Sequence, residues 1–168
     1  MLPSQYFLFS IKLYLMYSKQ EAAQLKQQFW TTFGQYMRPV LSANGEKINW
    51  INYKTGEKDI YFRMQADNKK ASIAIELTHK DEGLQALYFE QFQQLKTLLH
   101  NTLQEEWIWQ PHVSDEQGKN TSRIYTEIND VSIFKQSDWP QLISFFKPRM
   151  IALDECWSSA KYIFEAMR

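Results

Sequence analysis

One glutamate and two arginines fall on neighbouring predicted strands, at positions that can serve an anionic ligand. Arg63 alternates with the apolar residues of its strand, and Glu76 alternates with those of the next strand. Because alternate residues of a strand face opposite sides of a sheet, both side chains are expected on the polar face, together with Arg123 from a later strand. Such a cluster either grips an anion through charge-assisted hydrogen bonds or forms a structural ion pair, which is the commoner use. The spacing leaves both interpretations open.

A second arrangement is the one that metal-dependent nucleases use. These enzymes place an aspartate at the start of one strand and an acid-x-Lys sequence on the next, so that two carboxylates hold magnesium and the lysine steadies the nucleophile. Asp59 opens one predicted strand and Glu76 lies on the next. Thr78, however, occupies the position of the lysine, and the nearest cation is Lys80. We therefore expect no catalytic residue and no cofactor; Asp59 and Glu76 are the catalytic candidates, and magnesium the cofactor, only if a nuclease-related alternative holds.

Basic residues also gather between residues 47 and 70, interleaved with aromatic residues. The basic residues are Lys47, Lys54, Lys58, Arg63, Lys69 and Lys70, and the aromatic ones include Trp50, Tyr53 and Tyr61. Single-stranded nucleic acids are held by cations beside aromatic rings on which bases stack. Aromatic residues at alternating strand positions, in contrast, usually pack the core or bridge strands. Lys54 and Lys58 therefore join Arg63, Glu76 and Arg123 as candidate ligand-binding residues.

The amino-acid composition excludes several classes of protein. The chain has 168 residues, with 19 basic and 19 acidic side chains, and this balance argues against a protein that coats nucleic acid. Apolar residues make up 44% and aromatic residues 15% of the chain, which excludes disorder as the main state. A single cysteine, Cys156, fits a reducing compartment. No run approaches the ~20 apolar residues of a membrane span. We expect a cytoplasmic protein that does not bind membranes.

The N-terminus is expected to lie outside the domain. Residues 7–17 are apolar except for Ser10 and Lys12, yet no basic residue precedes them and no small-residue cleavage site follows, as a secretory signal would require. We predict an N-terminal extension over residues 1–17 and a single domain over residues 18–168. We expect that translation starts at Met16, so that residues 1–15 are an upstream extension; the alternative is an additional strand or helix packed on the domain.

The periodicity of the domain predicts three long helices and five or six strands. Ser18 and Glu21 form a capping box at the start of the first helix. The second helix is predicted over residues 81–103. Ser137 caps the third, which Pro148 should kink or split. Predicted strands cover residues 48–53, 60–64, 71–78, 107–109 and 123–126. Short polar links between them indicate an α+β fold in which an antiparallel sheet packs against the helices.

The strand and helix patterns resemble a bacterial family of proteins, the domains of unknown function numbered 4268. The segments that carry the resemblance are residues 71–77, 105–109 and 122–124, with Phe29-Trp30 in the first helix and Asp138-Trp139-Pro140 at the last. It covers roughly residues 18–157 and implies that Glu76, Trp109 and Arg123 occupy family positions, which adds Trp109 to the candidate ligand-binding residues. Similar domains often follow a nuclease-like domain, an association that hints at nucleic acid.

Together these patterns predict a non-enzymatic binding or interaction module. It is expected to act through the polar face of the sheet, with a protein partner or a second copy of the chain as its partner. A nucleic-acid-binding protein, or a degenerate metal-dependent nuclease-related domain, is the alternative.

Overall fold

Four α-helices, one short 3₁₀ helix and four strands make up the part of the chain that the structure, a computed structural model, describes. It covers residues 3–168, with side chains for 4–12 and 18–168. In chain order the elements are α1 (Pro3–Met37), β1 (Ile60–Ala66), β2 (Lys70–Leu77), α2 (Glu82–Gln94), α3 (Lys96–Leu103), β3 (Ile108–Ser114), β4 (Asn120–Asn129), the 3₁₀ helix Gln136–Asp138 and α4 (Trp139–Glu165).

The four strands form one antiparallel sheet in the order β1-β2-β4-β3. Apolar residues at alternate positions, such as Phe62, Ile75 and Ile124, lie opposite one another and are buried. Helices α2 and α4 pack on this face, and α1 packs on α4. The fold is therefore a single α+β domain with an antiparallel sheet, as predicted, in which one face of the sheet is covered by helices.

The prediction of five or six strands was wrong, because residues 48–53 form turns. The side-chain oxygen of Asn49 accepts hydrogen bonds from the backbone N–H groups of Ile51 and Asn52, at 3.1 and 3.0 Å. An asparagine that binds its own backbone in this way competes with strand pairing. Trp50, which is buried, donates its indole N–H to the carbonyl of Val40 at 3.0 Å. The aromatic residue thus packs the core from a turn.

The prediction of three long helices was also wrong, because the segment 81–103 breaks into α2 and α3. The break is at Leu95, whose backbone (φ −94°, ψ 8°) leaves the α-helical region and whose N–H bonds the carbonyls of Phe92 and Gln93. Phe92 and Leu99 are buried on either side of it. Since the apolar stripe continues through the break, periodicity alone could not show it.

Three predicted helix boundaries also need correction. Helix α1 begins at Pro3, upstream of the predicted start at Ser18, because a capping box permits a helix to start but does not prevent one from running through it. Ser137 lies in the 3₁₀ helix, and α4 is preceded by Asp138, whose carboxylate accepts from the N–H of Ser132. Pro148 does not split α4; both it and the residue four positions earlier are exposed, so water can satisfy the carbonyl that loses its partner.

The two edges of the sheet differ. β3 contains Pro111 and a shift of register between Gln110 and Val113, where His112 adopts a left-handed conformation (φ 57°). β1 pairs with β2 without interruption over all seven of its residues. An irregular strand with a proline is a poor template for a further strand, so the β3 edge is blunted and the β1 edge is regular.

Candidate ligand-binding site

A row of polar side chains crosses the face of the sheet that the helices leave open. Tyr61 on β1, Glu76 on β2, Arg123 on β4 and Gln110 on β3 lie directly opposite one another. Arg63 is two residues further along β1 on the same face, and its Nε donates to Oε1 of Glu76 at 3.2 Å. The structure thus brings together Arg63, Glu76 and Arg123, which we call the arginine cluster.

Each arginine of this cluster makes a cation–π contact with a tyrosine of its own strand. The guanidinium of Arg63 lies 4.5 Å from the ring centroid of Tyr61, and that of Arg123 lies 4.6 Å from the ring of Tyr125. Each contact is worth about 0.5–1 kcal/mol at an exposed site and fixes the plane of the guanidinium. Sequence reasoning missed this role of the tyrosines, although the signal was present: a tyrosine two residues from an arginine on one strand shares its face.

Arg123 is the member of the cluster with an unsatisfied donor. Its Nε is buried but has no hydrogen-bond partner in the described part of the chain. Most buried polar atoms are hydrogen-bonded, and a buried donor without an acceptor costs roughly 1–3 kcal/mol. The two terminal nitrogens of the guanidinium are not buried and also make no hydrogen bond with the described residues, so they are the donors available to a ligand in the cavity that Arg123 lines.

The cluster lines a cavity of about 520 Å³ on the open face. The opposite wall is the β3–β4 hairpin, including Asp115, Glu116 and Gln117. Oδ1 of Asp115 accepts from the backbone N–H groups of Gln117 and Lys119, at 2.9 and 2.8 Å, which fixes the hairpin tip. The size suits a few residues of a polar ligand.

Trp109 lies on the other face of the sheet. It is opposite Ile124 in the register, and its ring meets that of Phe89 edge to face, with the centroids 5.8 Å apart. Its indole nitrogen is buried and has no hydrogen-bond partner among the described side chains and backbone. The structure thus separates Trp109 from the arginine cluster and places it against helix α2.

Lys54 lines a second cavity, of about 560 Å³, between the segment after α1 and helix α4. At its base the hydroxyl of Tyr53 donates to Oδ1 of buried Asp154 at 2.6 Å, and the backbone N–H of Ala43 donates to Oδ2 at 2.7 Å. Burial, and then the bond to Asp154, raise the pKa of Tyr53 well above its ordinary value. Both carboxylate oxygens of Asp154 are thus engaged in fastening the segment to α4.

Lys58 lines a third cavity, of about 370 Å³, together with His79. His79 is 5% exposed, and its Nδ1 has no partner in the described residues. Burial lowers the pKa of His79. In the same cavity the buried carboxylate of Glu57 accepts from Nε and Nη2 of Arg168. Lys54 and Lys58 are therefore separate from each other and from the arginine cluster.

Asp59 lines the third cavity as well, whereas Glu76 lines the first. Asp59 adopts a left-handed backbone (φ 63°), and its Oδ1 accepts from the hydroxyl of Thr78 at 3.2 Å. Residues 3–168 contain no group of three or more His, Cys, Asp or Glu side chains placed to hold a metal ion. The two carboxylates that the nuclease alternative requires thus line different cavities.

The fold and the site define a single α+β domain with a polar, open sheet face. The chain belongs to the family described as domain of unknown function (DUF4268), whose model matches residues 25–161. This finding confirms the resemblance seen in the sequence. No curated protein and no solved structure matches the chain. Across the described helices, none is both long and apolar enough to cross a bilayer.

Proposed function

We propose that the protein is a non-enzymatic binding module whose ligand lies on the open face of the sheet, at the arginine cluster. The observation that carries this proposal is the guanidinium of Arg123, which lines the cavity, rests on Tyr125 and makes no hydrogen bond or ion pair with the residues whose side chains the structure describes. A ligand oxygen at this position would supply the missing hydrogen bond. Charged hydrogen bonds to an anion are about twice as strong as neutral ones.

A purely structural role explains less of the geometry. The ion pair between Arg63 and Glu76 has side chains that are 42% and 18% exposed, so water screens it. Exposed pairs of this kind contribute about 0–1 kcal/mol to stability. An ion pair alone also gives no reason for a second arginine, Arg123, that makes no ion pair in the described part of the chain. Binding accounts for both arginines.

Nucleic-acid binding has less support from the charges. Lys54 and Lys58, which the nucleic-acid hypothesis needs beside the cluster, line other cavities. The hairpin wall of the cluster's cavity contributes two acidic residues, Asp115 and Glu116. A phosphate backbone is bound through a surplus of cations, which this face does not offer.

The proposal also covers the source of the protein, its location in the cell, its domain bounds and its partners. We infer a bacterial, cytoplasmic protein whose functional domain comprises residues 18–168 and which acts with a protein partner or with a second copy of itself. The single cysteine, Cys156, supports a reducing compartment.

The test is an NMR titration with sodium acetate, a minimal carboxylate probe. Each arginine Nε–H gives its own signal, so that the signal of Arg123 should move as acetate is added. The signal of Arg149, whose Nε already donates to Glu105 at 2.7 Å, should stay in place and serves as the internal control. Arg123→Gln should abolish the response of the neighbouring backbone signals, whereas Arg38→Gln, a change at an exposed arginine elsewhere, should keep it. An Arg123 signal that does not move, or moves only as much as that of Arg149, contradicts the proposal.

A further inference from the structure

A fourth cavity, of about 320 Å³, adjoins the one at the arginine cluster. The two share Gln65 and Glu116, and the fourth cavity extends to Lys26 and Trp30 of helix α1. They therefore form one continuous depression, which we call the hairpin groove. It runs from Arg123 past the hairpin tip to α1.

Most carboxylates that line the hairpin groove are already engaged. Glu76 accepts from Arg63, and Oδ1 of Asp67 accepts from the backbone N–H groups of Lys69 and Lys70, at 2.7 and 2.9 Å. These bonds lower the pKa of Asp67. Its carboxylate thus stays ionised, and Oδ1 is already hydrogen-bonded to the backbone.

Asp115 is engaged in the same way by the backbone of the hairpin tip. Glu116 is different, because its carboxylate makes no hydrogen bond or ion pair with residues 4–12 or 18–168, whose side chains the structure describes. It stands in both cavities, and hence near the middle of the groove.

Some basic side chains of the groove are likewise paired with a carboxylate, whereas others are not. Arg63 pairs with Glu76, and Nζ of Lys70 lies 3.3 Å from Oε2 of Glu127. Arg123 at one end and Lys26 at the other make no ion pair in the described part of the chain. The charges left for a ligand are thus positive at both ends and negative in between.

This order of charges selects among ligands. A nucleic acid presents phosphates at every step and would meet the Glu116 carboxylate in the middle of the groove. An extended peptide carries charges of either sign, and side chains two residues apart lie on one face of it. We propose that the hairpin groove binds an extended segment of a partner protein in which a basic side chain stands between two acidic ones, spaced acid-x-base-x-acid.

Each part of this segment has a contact in the groove. One acidic side chain meets the guanidinium of Arg123, which can bind a carboxylate through two parallel hydrogen bonds. The basic side chain meets Glu116. The second acidic side chain meets Lys26, which lines the groove together with the half-buried Trp30. This inference rests on the proposed function, because the Arg123 contact belongs to both.

The test compares two fluorescein-labelled peptides of identical composition, Asp-Gly-Lys-Gly-Asp and Lys-Gly-Asp-Gly-Asp, by fluorescence anisotropy on the full chain. We expect the first peptide to bind more tightly than the second. Glu116→Lys should weaken the first peptide about tenfold or more, which corresponds to about 1.4 kcal/mol. Glu90→Lys, the same change of charge on the exposed side of α2, is the matched control and should leave binding unchanged.

Four results would overturn the inference. In the first, the two peptides bind equally. In the second, a labelled thymidine homopolymer binds more tightly than either peptide, which would indicate a nucleic acid. In the third, neither peptide binds although acetate still moves the Arg123 signal, so that the proposed function stands without this inference. Absence of both the acetate and the peptide responses would overturn the inference and the proposed function together.

Discussion

Glu76 and Arg123 lie directly opposite each other on β2 and β4, yet no ion pair joins them. The Glu76 carboxylate is instead taken by Arg63 from the other neighbouring strand, and Arg123 rests on Tyr125. The Glu76 carboxylate therefore neutralises Arg63 and leaves the charge of Arg123 without a counter-charge in the described part of the chain. The remaining guanidinium gives this face its capacity to bind an anion.

Glu76→Gln should increase the affinity for acetate. The substitution removes the charge that competes with a ligand for Arg63 and Arg123, while the amide keeps nearly the same volume. Because the pair with Arg63 is exposed, the free energy of unfolding should fall by only about 0–1 kcal/mol. The NMR titration with acetate measures the affinity, and urea denaturation measures the stability. A weaker response to acetate than in the unmodified chain would show that Glu76 assists the ligand rather than competing with it.

Tyr53→Phe should destabilise the fold. The change leaves one oxygen of the buried Asp154 without its donor, at a cost of about 1–3 kcal/mol in the free energy of unfolding. Tyr36→Phe removes the same hydroxyl from an exposed side chain and should cost less than about 0.5 kcal/mol. Urea denaturation of the two variants checks the difference. Equal stabilities would mean that the Tyr53–Asp154 bond does not hold the segment before β1 onto α4.

His79 should make the protein less stable in mild acid. Burial lowers its pKa in the folded state, so as the pH falls below the ordinary histidine value of about 6.5 the unfolded chain takes up the proton first. The free energy of unfolding should therefore decrease as the pH is lowered through that range, and be unaffected by His79 above it. The slope of stability against pH, from urea denaturation, measures this linkage.

Two asparagine variants separate His79 from the other titrating groups. His79→Asn should flatten the slope below about pH 6.5, because no titrating group is left in that core position. His112→Asn changes an exposed histidine and should retain the slope of the unmodified chain. If both variants keep the slope, the acid sensitivity has another source.

Deleting residues 1–17 should leave the thermal stability unchanged. The side chains of residues 4–12 are all exposed on the first turns of α1, and none of them belongs to the buried core. Differential scanning calorimetry should give a Tm within about 2 °C of that of the full chain. Phe29→Ala, at a fully buried position later in the same helix, should instead cost about 3–5 kcal/mol. A large fall in Tm after the deletion would place the domain boundary before residue 18.

Alternation of residue types was sufficient to predict which side chains share the open face. Arg63 and Glu76 each stand between two apolar residues, Arg123 precedes the apolar Ile124, and a period of two places all three side chains on one face once the strands pair. The four strands that formed were predicted from the same local signal. Local patterns predicted the structure correctly where apolar and polar residues alternate regularly along a strand.

The failures arose where a side chain overrode that period. At residues 48–53 the pattern of aromatic and β-branched residues is that of a strand, but the side chain of Asn49 closes a turn and Trp50 packs the core from it. The groove itself could not be predicted, because Glu116 reaches it only through the folding back of the β3–β4 hairpin. Contacts between segments that are distant in sequence leave no repeating pattern of residue types, so the sequence alone does not reveal them.

The blunted edge at β3 limits how copies of this chain could join. Polymerisation through sheet edges requires two competent edges on every subunit, because each must receive a neighbour on both sides. Pro111 and the irregularity at His112 leave only β1 regular. Association of folded copies through their sheet edges would thus stop at a closed pair and could not extend into a chain of subunits.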